Sequence, residues 1–203
     1  MPRIQAPSVA EHHARQRRAL LDAARALLAE SPQAPSMAAV GRRAGLARTS
    51  VYQYFTSAEE LLAAVVADVL PDWAGQVVTK VAAAPTPATR VWAYVEANVD
   101  LFTSSEQAVA RALTRVVEPR VLRGPLEEFH ARLQVPLRQA LADHGEPEPE
   151  TMAELVSSLI VQASQAAGPA DCTQAAGART VTLARLRRLL GPYLGLDPLP
   201  DED

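Results

Sequence analysis

The sequence predicts an all-α protein of about nine helices. Apolar residues recur at helical spacing along nearly the whole chain, and no stretch alternates apolar and polar residues for long enough to predict a strand. Proline and glycine interrupt this pattern where helices are expected to end. The length of 203 residues suits one large domain, or a small module joined to a larger one, with a sizeable core.

Three helices are predicted in the first third of the chain. The first has an apolar stripe over residues 20–28, and two very short helices follow over residues 37–44 and 48–54. Ser36 has the position and residue type of an N-cap for the second helix. Gly45 lies between the second and third helices, where glycine accepts the positive φ that a tight turn requires.

Longer helices are predicted over the remainder of the chain. Ser57 and Glu60 have capping-box spacing at the start of a long apolar helix, and Pro71 is expected to kink or break that helix. Pro125 suits the first position of another helix, and Pro136 is expected to bend it. The other predicted helices cover residues 92–102, a short segment after residue 104, residues 151–163 with Thr151 and Glu154 as a capping box, and residues 173–190.

The charge is divided unevenly along the chain. The net charge is −3, but residues 1–57 hold eight arginines against three acids, for a net +5, and the remaining 146 residues carry a net −8. A basic segment attached to an acidic body favours contact between that segment and a polyanion. The sequence therefore predicts two domains, 1–57 and 58–203.

Several classes of protein are disfavoured by composition. A lone Cys172 forms no intramolecular disulfide and no two-cysteine zinc motif, which favours a reducing compartment. No uninterrupted apolar window is long enough to predict a membrane span, and the N-terminal residues lack the apolar segment of a secretory signal. We expect a soluble cytoplasmic protein without a membrane partner.

Motifs for catalysis and metal binding are not found in the sequence. There is no glycine-rich phosphate loop, no GxSxG nucleophile elbow and no HExxH zinc helix. His130 and His144 lie fourteen residues apart on one predicted helix, which is too far for both to bind one metal ion. The sequence predicts neither an enzyme nor a bound cofactor or metal.

The most informative segment is SMAAVGRRAGLARTSVYQYF, residues 36–55. Two short helices around a glycine turn predict a helix-turn-helix unit, whose second helix enters the major groove of DNA and reads base edges with its N-terminal residues. Those residues are Arg48, Thr49 and Ser50, and arginine can bridge the O6 and N7 atoms of guanine. Contacts with DNA phosphates are predicted for Ser36, Arg42, Arg43, Tyr52 and Tyr54.

Several of these residues can also be explained by ordinary solvent exposure or core packing, without any contact with DNA. Arg42 and Arg43 can form an ordinary solvated helix face, and Tyr52 can pack in the core of the small domain. Phe55 is assigned to that core rather than to DNA. Both interpretations stay open at the level of the sequence.

The first third of the chain resembles the DNA-binding domain of the TetR family of transcriptional regulators. The resemblance is carried by LLDAARALLAE at residues 20–30, SMAAVGRRAGL at 36–46 and SVYQYFTSAEEL at 50–61. It implies a homodimer that binds a palindromic DNA operator. It also implies a larger C-terminal domain with a small-molecule pocket, whose last two helices form the four-helix bundle of the dimer. It places base contacts on Arg48, Thr49 and Ser50, and phosphate contacts on Ser36, Tyr52 and Tyr54.

Three positions depart from the family pattern. Ala47 replaces the usual Ser-like cap of the recognition helix, a loss of about 1 kcal/mol in typical helices. Ala58 replaces a common lysine at the start of the next helix, and Gln53 occupies a position that is often aromatic. We expect these changes to weaken individual DNA contacts, with Arg48 compensating in part for the missing lysine.

Residues for ligand binding and dimerisation are assigned from the stripes of apolar residues on the predicted helices of the C-terminal domain. A mixture of apolar bulk and a few polar groups favours a pocket for a small apolar or amphipathic ligand, although the same mixture describes an ordinary helical core. The predicted pocket residues are Trp92, Asn98, Val99, Phe102, Arg115, Phe129, His130, Leu133 and Leu137. The predicted dimer residues, on the last two helices, are Met152, Leu155, Leu159, Ile160, Leu183, Leu186 and Leu190.

These observations predict a sequence-specific DNA-binding transcriptional regulator. In the main hypothesis, a homodimeric repressor leaves its palindromic operator when a small molecule enters the C-terminal domain. The helix that starts at Ser57 joins the two domains, and its shift would change the separation of the DNA-binding heads. The alternative is a DNA-bound scaffold whose C-terminal domain recruits a protein partner and binds no small molecule.

Overall fold

The computed structural model describes residues 9–103, 105–166 and 175–197. Within these residues the chain forms nine helices and no strand, which confirms the predicted all-α fold. Cys172 lies outside the described residues. The helices are α1 Val9–Glu30, α2 Met37–Arg43, α3 Arg48–Val51, α4 Ala58–Ala83, α5 Pro87–Thr103, α6 Ser105–Val116, α7 Pro119–His144, α8 Pro149–Ala166 and α9 Ala175–Leu194.

The chain divides into two compact units. Unit 1 holds the residues up to Val69 together with Ala108–Arg123, and unit 2 holds Leu70–Gln107 together with the described residues from Gly124 onward. Three helices, α4, α6 and α7, contribute residues to both units. The predicted domain boundary after residue 57 falls inside unit 1, so it does not coincide with a boundary between the compact units. It stays a prediction about where the DNA-binding segment ends.

Unit 1 has its own buried core. Leu20 and Leu28 of α1, Val40 of α2 and Val51 of α3 are each at most 1% exposed. Phe55 is buried with them, as expected. Each such side chain stabilises the fold by about 1.5–3 kcal/mol relative to an exposed position. The three helices therefore fold as one small module, in which α2 and α3, of seven and four residues, are too short to be stable alone.

Unit 2 is built around α5. This helix packs against α8 and α9, and its residues 91–95 are all buried. The core cluster of the unit draws apolar residues from α4, α5, α7, α8 and α9. Burial on several sides of α5 explains why residues 91–95 form a continuous apolar run and not a narrow stripe.

Prolines interrupt the helices less than expected. Pro71 lies inside α4, which continues for 26 residues without a break. Its neighbours Leu70, Trp73 and Ala74 are all buried, so packing holds the helix together where one backbone hydrogen bond is missing. Pro125 is also interior, because α7 begins earlier, at Pro119. Of the kink or break expected at Pro71, the break does not occur, and the predicted start at Pro125 is wrong.

Two helix ends also differ from prediction. α8 begins at Pro149, so Thr151 lies in its first turn and is not an N-cap. Proline suits the first helical position because its missing N–H would have no partner there. α3 ends at Val51, and Tyr52 to Tyr54 continue as turns, so the recognition helix is shorter than the predicted 48–54.

Among the helices of the described residues, one is long and apolar enough to cross a membrane by length and composition alone. This helix is α4, and half of its most apolar window is buried inside the chain. A core helix of a soluble protein has the same properties, so the finding is weak evidence for a membrane span.

Candidate functional site

Local sequence signals build the helix-turn-helix unit. α2 begins where the Ser36 side chain accepts a hydrogen bond from the backbone N–H of Ala39 at 3.2 Å, which makes Ser36 the N-cap. The turn after α2 passes through Gly45, whose φ of +72° is the left-handed conformation that favours glycine. The Leu46 N–H then donates to the Gly41 carbonyl at 2.8 Å. Cap and turn together set the direction in which the chain enters α3.

A second glycine, Gly41, allows α2 and α3 to approach closely. A Cβ atom at this position would lie 2.8 Å from the Val51 Cγ2 atom and 2.9 Å from the Leu46 carbonyl oxygen, both closer than van der Waals contact. The spacing of the helix-turn-helix motif does not single out Gly41. The sequence does hold one signal, which is a glycine inside a seven-residue helix. Because glycine weakens a helix, its presence there indicates that close packing requires it.

α3 presents two of the three predicted base-reading residues to solvent. Arg48 and Thr49 are exposed, and Ser50 is half-buried. The Arg48 Nη2 atom lies 3.5 Å from the Tyr52 hydroxyl, and the guanidinium carbon lies 5.9 Å from the centre of the Tyr52 ring. The hydrogen bond to Tyr52 raises the pKa of Arg48, whose guanidinium is charged at neutral pH in any case. The charged Arg48 side chain therefore lies exposed at the N-terminal end of the recognition helix.

The departure at Ala47 has the expected local consequence. Ala47 is the N-cap of α3, with extended backbone angles, and it makes no side-chain capping bond. The helix has only four residues. Contacts elsewhere must hold α3 in place, and these are supplied by the buried Val51 and by the close packing on α2.

The two tyrosines after α3 have different environments. Tyr52 is 43% exposed, which leaves its hydroxyl accessible and argues against a core role. Tyr54 is half-buried; its hydroxyl donates to the Gln16 Oε1 atom, and its ring centre lies 4.4 Å from that of His13. Because its one hydroxyl proton is used within unit 1, the predicted phosphate contact of Tyr54 is not supported. Tyr54 instead joins the end of the helix-turn-helix unit to α1.

The neighbouring Arg42 and Arg43 are also not equivalent. The Arg43 Nη2 atom lies 2.7 Å from the Glu30 Oε1 atom, and a second bond joins the same two side chains at 2.7 Å. The hydrogen bond from Arg43 lowers the pKa of Glu30, so the pair is fully ionised at neutral pH. Arg42 is exposed and forms no ion pair with any described residue. Of the two predicted phosphate contacts, only Arg42 has a charge that no acid already offsets.

Part of the basic excess is neutralised elsewhere in unit 1. Arg18 contacts Asp22 at 2.5 Å and Asp68 at 2.7 Å. The cations that make no ion pair with a described residue include Arg15, Arg42 and Arg48, and all three are exposed. The net charge of the segment therefore overstates the number of cations that are free to meet DNA.

The start of α4 shows half of the predicted capping box. The Ser57 hydroxyl accepts a hydrogen bond from the Glu60 N–H at 3.1 Å, as expected. The Glu60 carboxylate does not accept the Ser57 backbone N–H, which would complete the capping box. It accepts instead from the Thr56 N–H at 2.6 Å and from the Thr56 hydroxyl at 2.5 Å. These bonds from Thr56 lower the pKa of Glu60. Ala58 follows with no side chain that can reach a phosphate.

The predicted ligand-pocket residues mostly belong to the core of unit 2. Val99, Leu133 and Leu137 are at most 4% exposed and lie in the core cluster. Trp92 and Asn98 are also buried, and the Asn98 amide donates to the Tyr94 carbonyl at 2.8 Å within the same helix. Phe102 and Phe129 pack against the cluster, whereas His130 is exposed and Arg115 is an exposed residue of unit 1.

A cleft of about 190 Å³ lies elsewhere in unit 2. None of the nine predicted pocket residues lines this cleft, so the predicted residues and the observed cleft do not coincide. The missed residues are mainly polar side chains at the edge of the apolar stripes, where sequence periodicity predicts only solvent. The cleft is lined by Gln76, Val77 and Lys80 of α4, by Ala97, Asp100 and Leu101 of α5 and by Glu106 of α6.

The predicted dimer residues fall into two groups. Ile160, Leu183, Leu186 and Leu190 are at most 6% exposed and already pack in the core of unit 2. They cannot contact a second subunit directly, because each faces the interior of its own chain. Met152 packs beside this core. The exposed apolar side chains on the same two helices are Leu155, Leu159, Val181, Leu189 and Tyr193.

Comparisons with known proteins agree with this geometry. Residues 20–65 match the model of the tetR family of bacterial regulatory proteins, and no curated protein sequence matches the chain. A solved structure described as a TetR-family regulator from Mesorhizobium loti is 19% identical, with a TM-score of 0.64, and the match covers 89% of this chain and 97% of that chain.

Two further solved structures carry ligands. FadR from Bacillus subtilis, in complex with stearoyl-CoA, is 14% identical with a TM-score of 0.59, over 82% of this chain and 97% of that chain. AibR, in complex with isovaleryl-CoA and operator DNA, is 15% identical with a TM-score of 0.60, over 85% of this chain and 97% of that chain. At such identities the likeness establishes the fold alone.

The family follows from the N-terminal match. Residues 20–65 contain all of α2 and α3, the cap Ser36, the turn glycine Gly45 and the exposed Arg48. The segment recognised as the tetR family is therefore the one that the structure shows to be a helix-turn-helix unit. Residues 20–65 of this chain are therefore a TetR-family DNA-binding helix-turn-helix segment.

Proposed function

We propose that this regulator is a homodimeric repressor that leaves a palindromic operator when a small molecule binds its C-terminal domain. The observation that carries the proposal is the α2–Gly45–α3 unit, which holds the charged, exposed Arg48 at the tip of its second helix. In this role the protein is a cytoplasmic transcription factor and not an enzyme. Arg48 and Thr49 are the base-reading candidates, and Arg42 and Tyr52 are the phosphate-binding candidates.

The solved neighbours support the ligand-responsive part of the proposal. AibR is described with both isovaleryl-CoA and operator DNA, and FadR with stearoyl-CoA, and both share the fold of this chain. The continuous helix α4, which contributes to both units, is the element through which we propose that ligand binding shifts the DNA-binding heads. A ligand moves this equilibrium only by binding one conformation more tightly than the other.

The first experiment is selection of bound duplexes from a random pool with the purified full chain. A two-fold dimer is expected to return a palindrome whose half-sites are centred about 10–10.5 base pairs apart, or a multiple of that spacing. Recovered sites with no two-fold symmetry would contradict the dimeric mode. Recovery of no preferred sequence would contradict base recognition by α3.

The adjacent arginines provide a matched test of phosphate contact. Arg42→Ala removes a cation with no ion pair, so operator affinity should fall and the slope of log K against log salt should decrease by about 0.9 for each lost phosphate contact. Arg43→Ala removes a cation already paired with Glu30 and should change this slope much less. Filter binding at several salt concentrations measures both slopes. Equal slopes for the two variants would contradict the assignment.

The exposed leucines of α8 support a subunit interface on that helix. Leu155 is 54% exposed and Leu159 is 37% exposed, and their spacing of four residues places them on one helix face. The double variant Leu155→Glu, Leu159→Glu should convert the dimer to a folded monomer, because charges cannot be buried unpaired between two subunits. Light scattering measures the mass.

Val135→Glu is the control for the interface test. Val135 is 62% exposed on α7, so this charge should leave the mass unchanged. A double α8 variant that keeps the dimer mass would show that the interface lies elsewhere.

A further inference from the structure

The exposed side of α9 is an apolar ridge that contains an arginine. Its apolar members are Val181, Leu189 and Tyr193, which are 46%, 61% and 37% exposed, and Arg185 is exposed among them. These four residues recur every four positions, so their side chains form one ridge along the helix. Exposed apolar side chains that are grouped in this way mark a surface that another molecule covers.

Two arginines on this side of α9 have no acid to pair with. Arg185 and Arg188 are both exposed, and neither forms an ion pair with a described residue. Their spacing of three places them on one side of the helix, which we call the basic face of α9. The helix itself holds no Asp or Glu, so nothing along it offsets these two charges.

The exposed side of α8 carries the opposite charge. Glu150 and Glu154 are exposed and lie four residues apart, on one side of the helix that we call its acidic face. Neither carboxylate forms an ion pair within the part of the chain that the structure describes, and α8 holds no Lys or Arg. The exposed Leu155 and Leu159 lie on the adjoining side of α8.

The charges where α4, α5 and α9 meet are, by contrast, paired within the chain. The Lys80 Nζ atom lies 3.0 Å from the Asp100 Oδ2 atom and 3.6 Å from the Glu96 Oε2 atom. The Arg179 Nε atom donates to the Asp100 Oδ1 atom at 2.5 Å. The chain therefore satisfies one arginine of α9 internally and leaves the basic face of the same helix without such a partner.

A second copy of the chain has the complement that each of these faces lacks. In a two-fold interface, contact of one residue with another is repeated by symmetry on the other side of the axis. Contact of α9 with α9 would oppose arginines, and contact of α8 with α8 would oppose glutamates, and like charges opposed across an interface are strongly unfavourable. Contact of α8 with the partner's α9 joins opposite charges twice.

We propose that the occupant of this surface is a second copy of the chain, in which the acidic face of α8 pairs with the basic face of the partner's α9. The apolar side chains beside the two faces supply buried area, and the charge pairs determine which helix meets which. Arg185 in particular needs such a pair, because a cation left unpaired in an apolar contact is costly. This inference deepens the proposed homodimer and rests on it.

Charge reversal in two separate chains tests the pairing. The acid variant carries Glu150→Arg and Glu154→Arg, and the base variant carries Arg185→Glu and Arg188→Glu. Each alone opposes like charges at both symmetric contacts, so each homodimer should have a Kd at least about tenfold above that of the parent. An equal mixture of the two should form the heterodimer, because both contacts again join opposite charges. Native mass spectrometry of differently tagged chains measures the species.

The same mixture contains the results that would overturn the pairing. No excess of heterodimer over random pairing, or a parental Kd for each variant alone, would do so. All four substitutions in one chain should restore the homodimer. Restoration in that chain without restoration in the mixture would show that the two faces pair within one chain, against the proposal. The heterodimer excess should also shrink as salt rises.

Two further variants control for folding and for net charge. Glu150 lies in the first turn of α8, where an acid also stabilises the helix dipole, so Glu154→Arg alone is the second acid variant and should still prefer the base variant. Glu127→Arg with Glu128→Arg reverses two exposed acids of α7 and should keep the parental Kd. Equal preference of this control for the base variant would assign the effect to net charge and overturn the pairing.

Operator binding separates this inference from the proposed function. A parent dimer that selects a palindrome, with no heterodimer excess in the mixture, would overturn the pairing and leave the proposed repressor intact. A heterodimer excess in a chain whose parent selects no palindrome would support the pairing and overturn the operator-bound dimer.

Discussion

Gly41→Ala is expected to destabilise unit 1 by about 1–3 kcal/mol, the usual cost of forcing extra volume into a packed site. The added methyl group would press on the Val51 side chain and on the Leu46 backbone oxygen, and a backbone atom cannot move aside as a flexible side chain can. The two helices of the DNA-binding unit would separate, so DNA affinity should fall together with stability. Urea unfolding followed by circular dichroism measures the change.

Gly75→Ala is the matched control, with the opposite expected sign. Gly75 lies inside α4, is half-buried, and has open space where a Cβ would be added. Removing a glycine from a helix interior should stabilise the protein by about 0.5–1 kcal/mol. If both glycine variants stabilised the protein, the close approach of α2 and α3 would not be a constraint on the fold.

Arg48→Ala is expected to abolish sequence preference in DNA binding. A good bidentate contact between arginine and guanine contributes about 1–3 kcal/mol of discrimination, so each recognition helix should lose roughly 5- to 150-fold in operator affinity. Binding to random duplex should change little, because base contacts carry sequence information and phosphate contacts do not. Competition between operator and random DNA at fixed salt measures the ratio.

The control for Arg48 is an arginine of the same exposure in the other unit. Arg132 is exposed on α7, and Arg132→Ala should leave the ratio of operator to random binding unchanged. The pattern should also differ from that of Arg42→Ala, which lowers affinity for both kinds of DNA. An Arg48→Ala variant that kept full operator preference would move base recognition to other residues.

Features set by neighbouring residues were predictable from the sequence. Ser36 caps α2 because its side chain reaches an N–H three residues ahead, and Gly45 turns the chain because it lacks a Cβ. Both effects are local, so residue type and spacing are enough to find them. Periodic apolar stripes likewise predicted most of the helices, since a helix must bury one face whatever it packs against.

Features set by distant partners were not predictable. The Tyr54 hydroxyl donates to Gln16, which lies 38 residues earlier, and Arg43 forms an ion pair with Glu30, 13 residues earlier. No spacing rule connects such pairs, because the fold alone brings them together. Spacing could therefore not show that Tyr54 and Arg43 have partners within unit 1, and Arg42 and Tyr52 are the better candidates for phosphate contact.

The C-terminal assignments show a second limit. A stripe of leucines marks the buried face of a helix, and the same stripe fits a core, a pocket or a subunit interface. Leu186 and Leu137 proved to be core residues. The residues that remain available for binding are those at the margins of the stripes, such as Leu155 on α8 and Lys80 on α4. At the margins of an apolar stripe, the periodic pattern says least about whether a residue is buried, exposed or used in binding.

The engagement of Lys80 in the cleft has a consequence for how this protein can be labelled. Lys80 is the only lysine in a chain with nineteen arginines, and its side chain is 38% exposed. Every positively charged side chain other than histidine on the DNA-binding unit is a guanidinium. Reagents that acylate lysine amines therefore find their single side-chain target in the C-terminal unit, and their rate of reaction reports how tightly Asp100 and Glu96 hold that amine. The amine chemistry of this chain thus distinguishes its C-terminal unit from its helix-turn-helix unit, which holds guanidinium cations alone.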